Sequence, residues 1–551
     1  MVTRSVAYAF VEQLLASGVE YVFGNPGTTE QAFVDELQDH PGIEYVLHLH
    51  EGVAVAAGEG YARATGKVAV IGLHSGPGLG NGMGMLYNAS VSHTPLLVYV
   101  GQPPLSSLHQ EPMLNTDFAM MAAPLAKWAY EVRTPDEVPQ VVRRALQVAS
   151  SPPFGPVVLA IPMDVMESPC RAPVLRPLPV LNQLHPDPAA VEQACKLLRA
   201  AEAPVIITGD GASSVAAIEA VSALADLLGA PIFAGSLSGV GFKRGEPLRG
   251  GRIPLDDGKV IVEQLAAYDT VLAVGTKVFA QLLPYGFLPL ADRPVVHVGM
   301  EPWELGKNQP SSVVLGAAEP TLEAMRRTLG SGLDDKTREL WAQRRDREVH
   351  QLRAARKQVL AADAKPCADD LLTAERFMRT LALALRPDVC VVDETISSYG
   401  IVERYLEQAP GNWFRGRGGG IGSGMAMPVG MQLGRPGQQV LCLTGDGSAM
   451  YSVTALWTAA HHRLPITWVV LDNGGYRLVK MNTVRYAMAP RPEGREFIGA
   501  DLTQPPIDFV ALAESMGVAA RRVDDTAGVL SALTEALADH DGPRLIHVLL
   551  S

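Results

Sequence analysis

The chain of 551 residues is 47% hydrophobic and 19% charged, and carries a formal net charge of −12. That length predicts three or four domains, each able to bury its own core, and the acidic balance excludes a broad nucleic-acid-binding surface. No apolar run reaches membrane-span length, Met1-Val-Thr-Arg-Ser opens no signal core, and five scattered cysteines without CxxC spacing predict free thiols in a reducing cytoplasm.

In chain order, residues 1–167 alternate strands and helices. Strands are expected at Tyr21–Phe23, Tyr45–Leu49, Val68–Leu73, Leu96–Val100 and Val157–Ile161, with helices over Ser5–Ala16, Thr29–Asp39 and Gly52–Ala64. Within this region Glu51 opens an Ala/Gly-rich helix, and Glu59 is spaced to meet Arg63 at i,i+4. His74 follows a buried strand and opens a Gly-Pro-Gly loop, which points it into a crevice at the carboxyl ends of the strands. A neutral imidazole there exchanges protons near pH 7. His93, before Thr-Pro, reads as a structural hydrogen-bonder, and His461-His462 as a solvated helix end. A proline-rich linker runs from Ser168 to Pro186. Residues 187–330 restart the alternation, with strands near Val205–Thr208, Thr270–Val274 and Val295–Val298. A charged helix, Asp334–Ala362, reads as a solvated connector to a third domain over 368–551. The expected fold class is therefore α/β, with three doubly wound parallel-sheet domains.

The third domain carries the most specific pattern. A strand at Val440–Thr444 leads into Gly445-Asp446-Gly447-Ser448, and a second strand at Ile466–Leu471 leads into Asp472-Asn473-Gly474-Gly475-Tyr476. Between them Ala449, Val453, Leu456, Trp457 and Ala460 recur at helical spacing. The 27 residues from Asp446 to Asn473 are what one strand–helix–strand crossover consumes. Both side chains then sit at carboxyl ends of parallel strands, where open α/β sheets bind ligands. A carboxylate and an amide oxygen are hard donors suited to Mg²⁺, and a helix starting at Ser448 aims its free N–H groups at the same point. Gly209-Asp210-Gly211 serves as a control: 27 residues beyond Asp210 stands Leu237, so that triplet reads as a structural turn.

Gly-Asp-Gly followed by 25 residues and Asn resembles the cofactor fingerprint of the thiamine-diphosphate (ThDP) enzymes. Further segments are similar to the benzoylformate decarboxylase branch: Asn25-Pro-Gly-Thr28-Thr-Glu30, Leu73-His74-Ser75-Gly-Pro-Gly-Leu-Gly-Asn81, Ser92–Gln102, Lys127–Glu131 and Gly445–Ala460. The likeness covers nearly the whole chain and is weakest in the middle. It implies a pyrimidine domain, a central domain and a diphosphate domain, binding ThDP and Mg²⁺. It also implies Glu51, His74 and Thr28 as catalytic residues, with Glu51 acting on the aminopyrimidine ring. Asn25, Ser397, Ser398, Gly419, Ile421, Gly445, Asp446, Gly447, Ser448, Asn473, Gly475 and Tyr476 would bind the cofactor. Asp446, Asn473 and the Gly475 carbonyl would hold the metal. Sites shared between the subunits of a homodimer or homotetramer follow from the same resemblance. The implied reaction is non-oxidative decarboxylation of a 2-oxo acid to an aldehyde, and a carboligase of the acetolactate-synthase type is the alternative. No sequence feature demands FAD. Asn81 is left either fixing the Asn25–Gly27 turn or lining the pocket.

The chain departs from that branch at two places. The run Lys277-Val-Phe279-Ala-Gln-Leu282 has no histidine where the relatives carry a second one. Arg415 and Asn482 stand where aromatic pocket residues are expected, and Arg415, Arg417, Arg477 and Lys480 together predict a basic rim for an anionic or polar substrate arm.

Overall fold

Runs such as Leu96-Leu-Val-Tyr-Val100 and Val157–Ile161 leave no polar face for solvent, and each is buried throughout. Such runs build three six-stranded parallel sheets, flanked by helices, in a computed structural model that describes residues 4–179, 183–235, 238–243, 245–253, 258–278, 290–307, 310–363, 371–485, 495–538 and 541–551. A short pair, β1 (Arg4–Ser5) with β8 (Pro169–Cys170), is antiparallel and separate. The first sheet contains β2 (Tyr21–Gly24), β3 (Glu44–Leu47), β4 (Ala69–His74), β5 (Leu96–Gln102), β6 (Trp128–Glu131) and β7 (Val157–Pro162). The central sheet contains β9 (Pro204–Thr208), β10 (Ile232–Gly235), β11 (Arg249–Ile253), β12 (Thr270–Val274), β13 (Val295–Gly299) and β14 (Ser312–Leu315). The last contains β15 (Cys390–Glu394), β16 (Trp413–Arg415), β17 (Val440–Gly445), β18 (Ile466–Asp472), β19 (Ala519–Val523) and β20 (Arg544–Leu549).

Strand order separates the sheets. The central one runs β11-β10-β9-β12-β13-β14, the dinucleotide-fold order. The first runs β3-β2-β4-β5-β7-β6 and the last β16-β15-β17-β18-β20-β19, which is the same permutation. Their reversals therefore fall at equivalent places, between β2 and β4 and between β15 and β17. Ligands of open α/β sheets bind at that point, outside the carboxyl ends.

Two compact units emerge, residues 1–181, 392–397 and 416–551 in one, and 182–391 with 398–415 in the other. In the first unit the helices Glu51–Thr65 and Ser423–Gly434 cross backbone against backbone. A β-carbon on Gly60 would overlap the Met427 carbonyl, and one on Gly430 the Ala57 carbonyl. Nearby, His48 is fully buried, stacks on Phe23 at 6.0 Å between centroids, and bonds the Thr458 hydroxyl at 3.1 Å. Burial, helped by His462, pushes its pKa down to about 3. The folded value lies below the ordinary one, so its contribution to stability is present above pH 6.5 and lost as pH falls towards 3. Acidification from pH 6.5 to about 5 is expected to cost about 2 kcal/mol through this residue. His48→Gln should flatten the fall of the unfolding midpoint over that window, as read by calorimetry at stepped pH.

Three expectations need correction. The Gly-Pro-Gly run after His74 is not a loop but the start of a helix, Ser75–Val91. Pro77 sits in its first turn, where no N–H is required, and the glycines let it lie close to its neighbours, with Gly82 facing Leu73 and Val55. The helix expected from Ser448 to His461 is broken into Asp446–Ala449 and Ala455–His461. Between the pieces the bonds tighten to i→i+3, as in Tyr451 N–H to Ser448 O, and the Ser452 hydroxyl donates to the Gly422 carbonyl. In the second unit, the helix Asp335–Asp363 is not wholly solvated. Trp341 and Arg344 are buried, and Arg344 donates to the carbonyls of Leu228, Ala201 and Glu202.

Other expectations match. Gly209-Asp210-Gly211 is a short turn whose Asp210 carboxylate accepts the Gly239 N–H at 2.7 Å. Glu59 pairs with Arg63 at 3.4 Å. Cys170, Cys195, Cys390 and Cys442 are buried and outside any disulfide, while Cys367 lies outside the described residues. Among the described residues no helix is long and apolar enough to cross a membrane.

Candidate active site

His74 ends β4, beside the end of β2 and the turn that follows it. Its Nδ1 lies 2.9 Å from Glu30 Oε2 and 3.1 Å from the Thr29 hydroxyl. Glu30 is 2% exposed and also accepts the Gly27 N–H at 2.9 Å and the Thr29 hydroxyl at 2.6 Å. Burial pushes the Glu30 carboxyl up, opposed by the Thr29 hydroxyl, His74 and the Gly27 N–H. A carboxylate at Nδ1 selects the tautomer protonated there, leaving Nε2 of this 23% exposed ring as the proton-exchanging nitrogen.

Glu51 is the first residue of its helix, and its Oε2 accepts the Asn81 amide at 3.0 Å. A β-carbon on Gly78 would sit 3.2 Å from Glu51 Oε1 and 3.5 Å from His74 Cβ, so Glu51 and His74 flank one helical turn. Asn81 thus reaches the candidate acid rather than the Asn25–Gly27 turn. The Asn25 amide instead donates to the His48 carbonyl at 2.7 Å. Thr28 is exposed at the head of the short helix Thr28–Glu30, and its neighbour Thr29 is the hydroxyl that meets His74. Thr29 and Glu30 were missed in the sequence. Their signal was an acidic residue three positions after a turn glycine, reaching back to its N–H.

The second cluster lies at the ends of β17 and β18. Their register sets Gly445 opposite Leu471, which brings Asp446 beside Asp472. Burial and the Asp472 carboxylate push the Asp446 carboxyl up. Burial also raises Asp472, but the His547 hydrogen bond at 2.8 Å and the Gly474 N–H outweigh it and hold that carboxyl below its usual range. Asp446 Oδ2 and Asn473 Oδ1 are both buried without a hydrogen-bond partner. Two orphaned oxygens at adjacent strand ends fit a hard divalent cation, which would satisfy both. Among the described residues no three His, Cys, Asp or Glu side chains group as a metal set, so the donors here are one carboxylate, one amide and the backbone. Gly475 is buried in a bridge to Asp501, Ser448 is buried one turn into the short helix, and the Tyr476 ring lies against Gly447. Ser397 and Ser398 follow β15, and Ser398 begins the helix Tyr399–Tyr405 without using its hydroxyl as the cap. Gly419 is exposed with φ +80°, and Ile421 is half-buried.

Three matches to known proteins cover both strand-end clusters. Residues 4–121, 191–325 and 396–548 fit the thiamine pyrophosphate enzyme N-terminal TPP binding, central and C-terminal TPP binding domains respectively. The chain belongs to the thiamine pyrophosphate enzyme family. It is 33% identical to the benzoylformate decarboxylase of Pseudomonas aeruginosa, over 99% of this chain and 98% of that protein. It is 27% identical to the acetolactate synthase isozyme 3 large subunit of Escherichia coli, over 99% and 94%. The ThDP-dependent 4-hydroxybenzoylformate decarboxylase of Rhodococcus jostii RHA1 superposes with a TM-score of 0.85 at 28% identity, covering 100% of this chain and 99% of that one. As a member of this family the chain is a ThDP-dependent enzyme related to both decarboxylases and acetolactate synthases.

Three of the four basic residues expected at the rim are engaged within the fold. Arg415 is 2% exposed, with its guanidinium 4.8 Å over the Tyr399 ring. Arg417 donates to the Ser92 carbonyl at 2.9 Å, and Lys480 pairs with Asp501. Arg477 alone of the four is exposed. His462, expected to be solvated, pairs with Glu44 at 3.1 Å, whereas His93 is a structural hydrogen-bonder to the Phe154 carbonyl. Of the departing run, Phe279–Leu282 lies outside the described residues.

Proposed function

We propose that this ThDP enzyme decarboxylates a 2-oxo acid to an aldehyde without oxidation. The observation that carries the reading is the Glu30–His74 pair at the first switch point, 2.9 Å apart and beside Glu51. When bound, ThDP supplies a nucleophilic carbon and a sink for the electrons released with CO₂. Glu51 holds a proton at the aminopyrimidine ring. His74 Nε2 moves a proton at the substrate's former carbonyl oxygen, with Glu30 fixing the imidazole and Thr28 lining the mouth. Asp446, Asn473 and the Gly475 carbonyl hold Mg²⁺, and Gly445, Gly447, Ser448, Ser397, Ser398 and Tyr476 surround the diphosphate. Gly419, Ile421 and Asn25 complete the cofactor shell. Family membership is what supports sites shared between the subunits of a homodimer or homotetramer.

Likeness to acetolactate synthases supports the second reading, carboligation of the decarboxylated unit onto another carbonyl. Incubating the enzyme, ThDP and Mg²⁺ with benzoylformate or pyruvate, with and without an aldehyde acceptor, separates the two by mass spectrometry. Free aldehyde as the main product supports the decarboxylase, and ketol as the main product the carboligase. Glu30→Gln is expected to lower kcat by roughly 10²-fold with ThDP affinity unchanged. Full turnover in that variant would reduce Glu30 to a structural residue.

A further inference from the structure

The loop that precedes the helix Ser423–Gly434 is gripped at both ends and open in the middle. On one side, Asn88 near the end of the helix Ser75–Val91 exchanges two hydrogen bonds with Gly420. Its Nδ2 donates to the Gly420 carbonyl at 2.8 Å, and its Oδ1 accepts the Gly420 N–H at 3.1 Å. Asn88 is fully buried, and its amide sits where a β-carbon on Gly418 would go. Four residues further along the chain, the Ser92 carbonyl takes Arg417.

On the other side stands Glu394, the last residue of β15 and so at the switch point of the third sheet. Both of its oxygens lie 3.0 Å from the Gly422 N–H, and Oε1 also accepts the Ser423 hydroxyl at 3.0 Å. The Gly424 N–H is a further donor to it, and the Ser452 hydroxyl takes the Gly422 carbonyl. Glu394 is 4% exposed. A carboxylate in so dry a place costs free energy, and burial drives its pKa up to about 7 against the pull of these donors. Strand ends in this fold position ligands, so an expensive buried carboxylate there that takes its hydrogen bonds, among the described residues, from Gly422, Ser423 and Gly424 has a local job to do.

Ile421 lies between the two grips, and Gly419 lies just before them, between Arg417 on the Ser92 carbonyl and Gly420 on Asn88. A β-carbon on Gly419 would meet nothing within 4 Å, and its φ is +80°, next to the Gly420 that Asn88 clamps. We infer that Asn88 and Glu394 are positioning residues that preset this loop, so that the Gly419 carbonyl and the Ile421 side chain stand ready for the cofactor before it arrives. The inference rests on the ThDP reading of the same loop. Preorganisation of this kind lowers the ordering cost of binding. Neither residue touches the cofactor under this account, so each acts through backbone geometry alone.

The test uses the full-length protein and the variants Asn88→Ala and Glu394→Gln. Gln keeps the size of Glu but turns an amide N–H₂ towards donors that need an acceptor. Hydrogen–deuterium exchange of the segment 416–422 in the cofactor-free protein reads the loop directly. Titration calorimetry with ThDP at fixed Mg²⁺ reads the consequence. Both variants should exchange faster in that segment and bind ThDP roughly 10- to 100-fold more weakly, the scale of lost hydrogen bonds to a charged or buried group. The near-ultraviolet circular dichroism of bound ThDP should also change at saturation, which a general loss of stability would not produce. If Glu394→Gln fails to fold, Asn88→Ala carries the test by itself. Wild-type exchange and wild-type affinity in the variants overturn the clamp. A wild-type chain that takes up no ThDP overturns the cofactor reading, and the clamp with it.

Discussion

Glu51→Gln is expected to lower kcat by roughly 10²- to 10⁴-fold while ThDP affinity stays close to that of the wild type. The substitution preserves shape, and a glutamine oxygen can still accept the Asn81 amide that now bonds Glu51 at 3.0 Å. Under the proposed function it removes the charge that would hold a proton on the aminopyrimidine ring. The competing view makes Glu51 an ordinary acidic residue in a helix's first turn, where its worth is about 0.3–1 kcal/mol of stability. That view predicts a small drop in the unfolding midpoint and unchanged turnover. Steady-state kinetics beside calorimetric ThDP titration separate the two, and undiminished turnover removes Glu51 from the mechanism.

Asp446→Ala should have the opposite signature, with binding lost rather than chemistry. In the proposed site the Asn473 oxygen would not hold Mg²⁺ without the carboxylate, and ThDP affinity measured with Mg²⁺ is expected to fall by at least about 10²-fold, the cost of losing a charged ligand. The cofactor-free protein reports the same site with reversed sign. Burial and Asp472 raise the Asp446 carboxyl, so its contribution to stability is full below pH 3.8 and is lost as pH rises through its folded value. Above that window the metal-free fold carries a buried Asp446 charge beside that of the half-buried Asp472. Asp446→Asn should therefore raise the unfolding midpoint of metal-free protein at pH 8 while abolishing Mg²⁺-dependent ThDP uptake. A midpoint that falls, or ThDP uptake that persists, contradicts the metal role.

Strand ends were the most legible part of this fold. Val440–Thr444 and Ile466–Leu471 announce themselves as apolar runs, and the candidate ligands at their ends follow from one crossover of the right length. Helices built on glycine were not legible. Ser75–Val91 contains Gly76, Gly78, Gly80, Gly82 and Gly84, residues whose intrinsic preference opposes a helix, and only close packing makes it one. The break at Met450–Thr454 was hidden for a related reason, since the hydroxyl of Ser452 finds its partner, Gly422, thirty residues away in the chain. Arg415 misled because charge predicts exposure, whereas stacking over Tyr399 supports its burial. At the site, Asp446 and Asn473 carried a spacing that could be read, but Thr29 and Glu30 act through a three-residue turn whose importance appears only when His74 is brought against it. Asn88 and Glu394 had no local signal at all, because their partners lie far away in sequence.

Crystals grown with ThDP and MgCl₂ test the central claim most directly. The expected density shows Mg²⁺ at roughly 2.1 Å from side-chain oxygens of Asp446 and Asn473, with a pyrimidine nitrogen of the same ThDP hydrogen-bonded to a Glu51 carboxylate. A diphosphate lodged elsewhere, or a Glu51 carboxylate left facing solvent in the loaded enzyme, would contradict it.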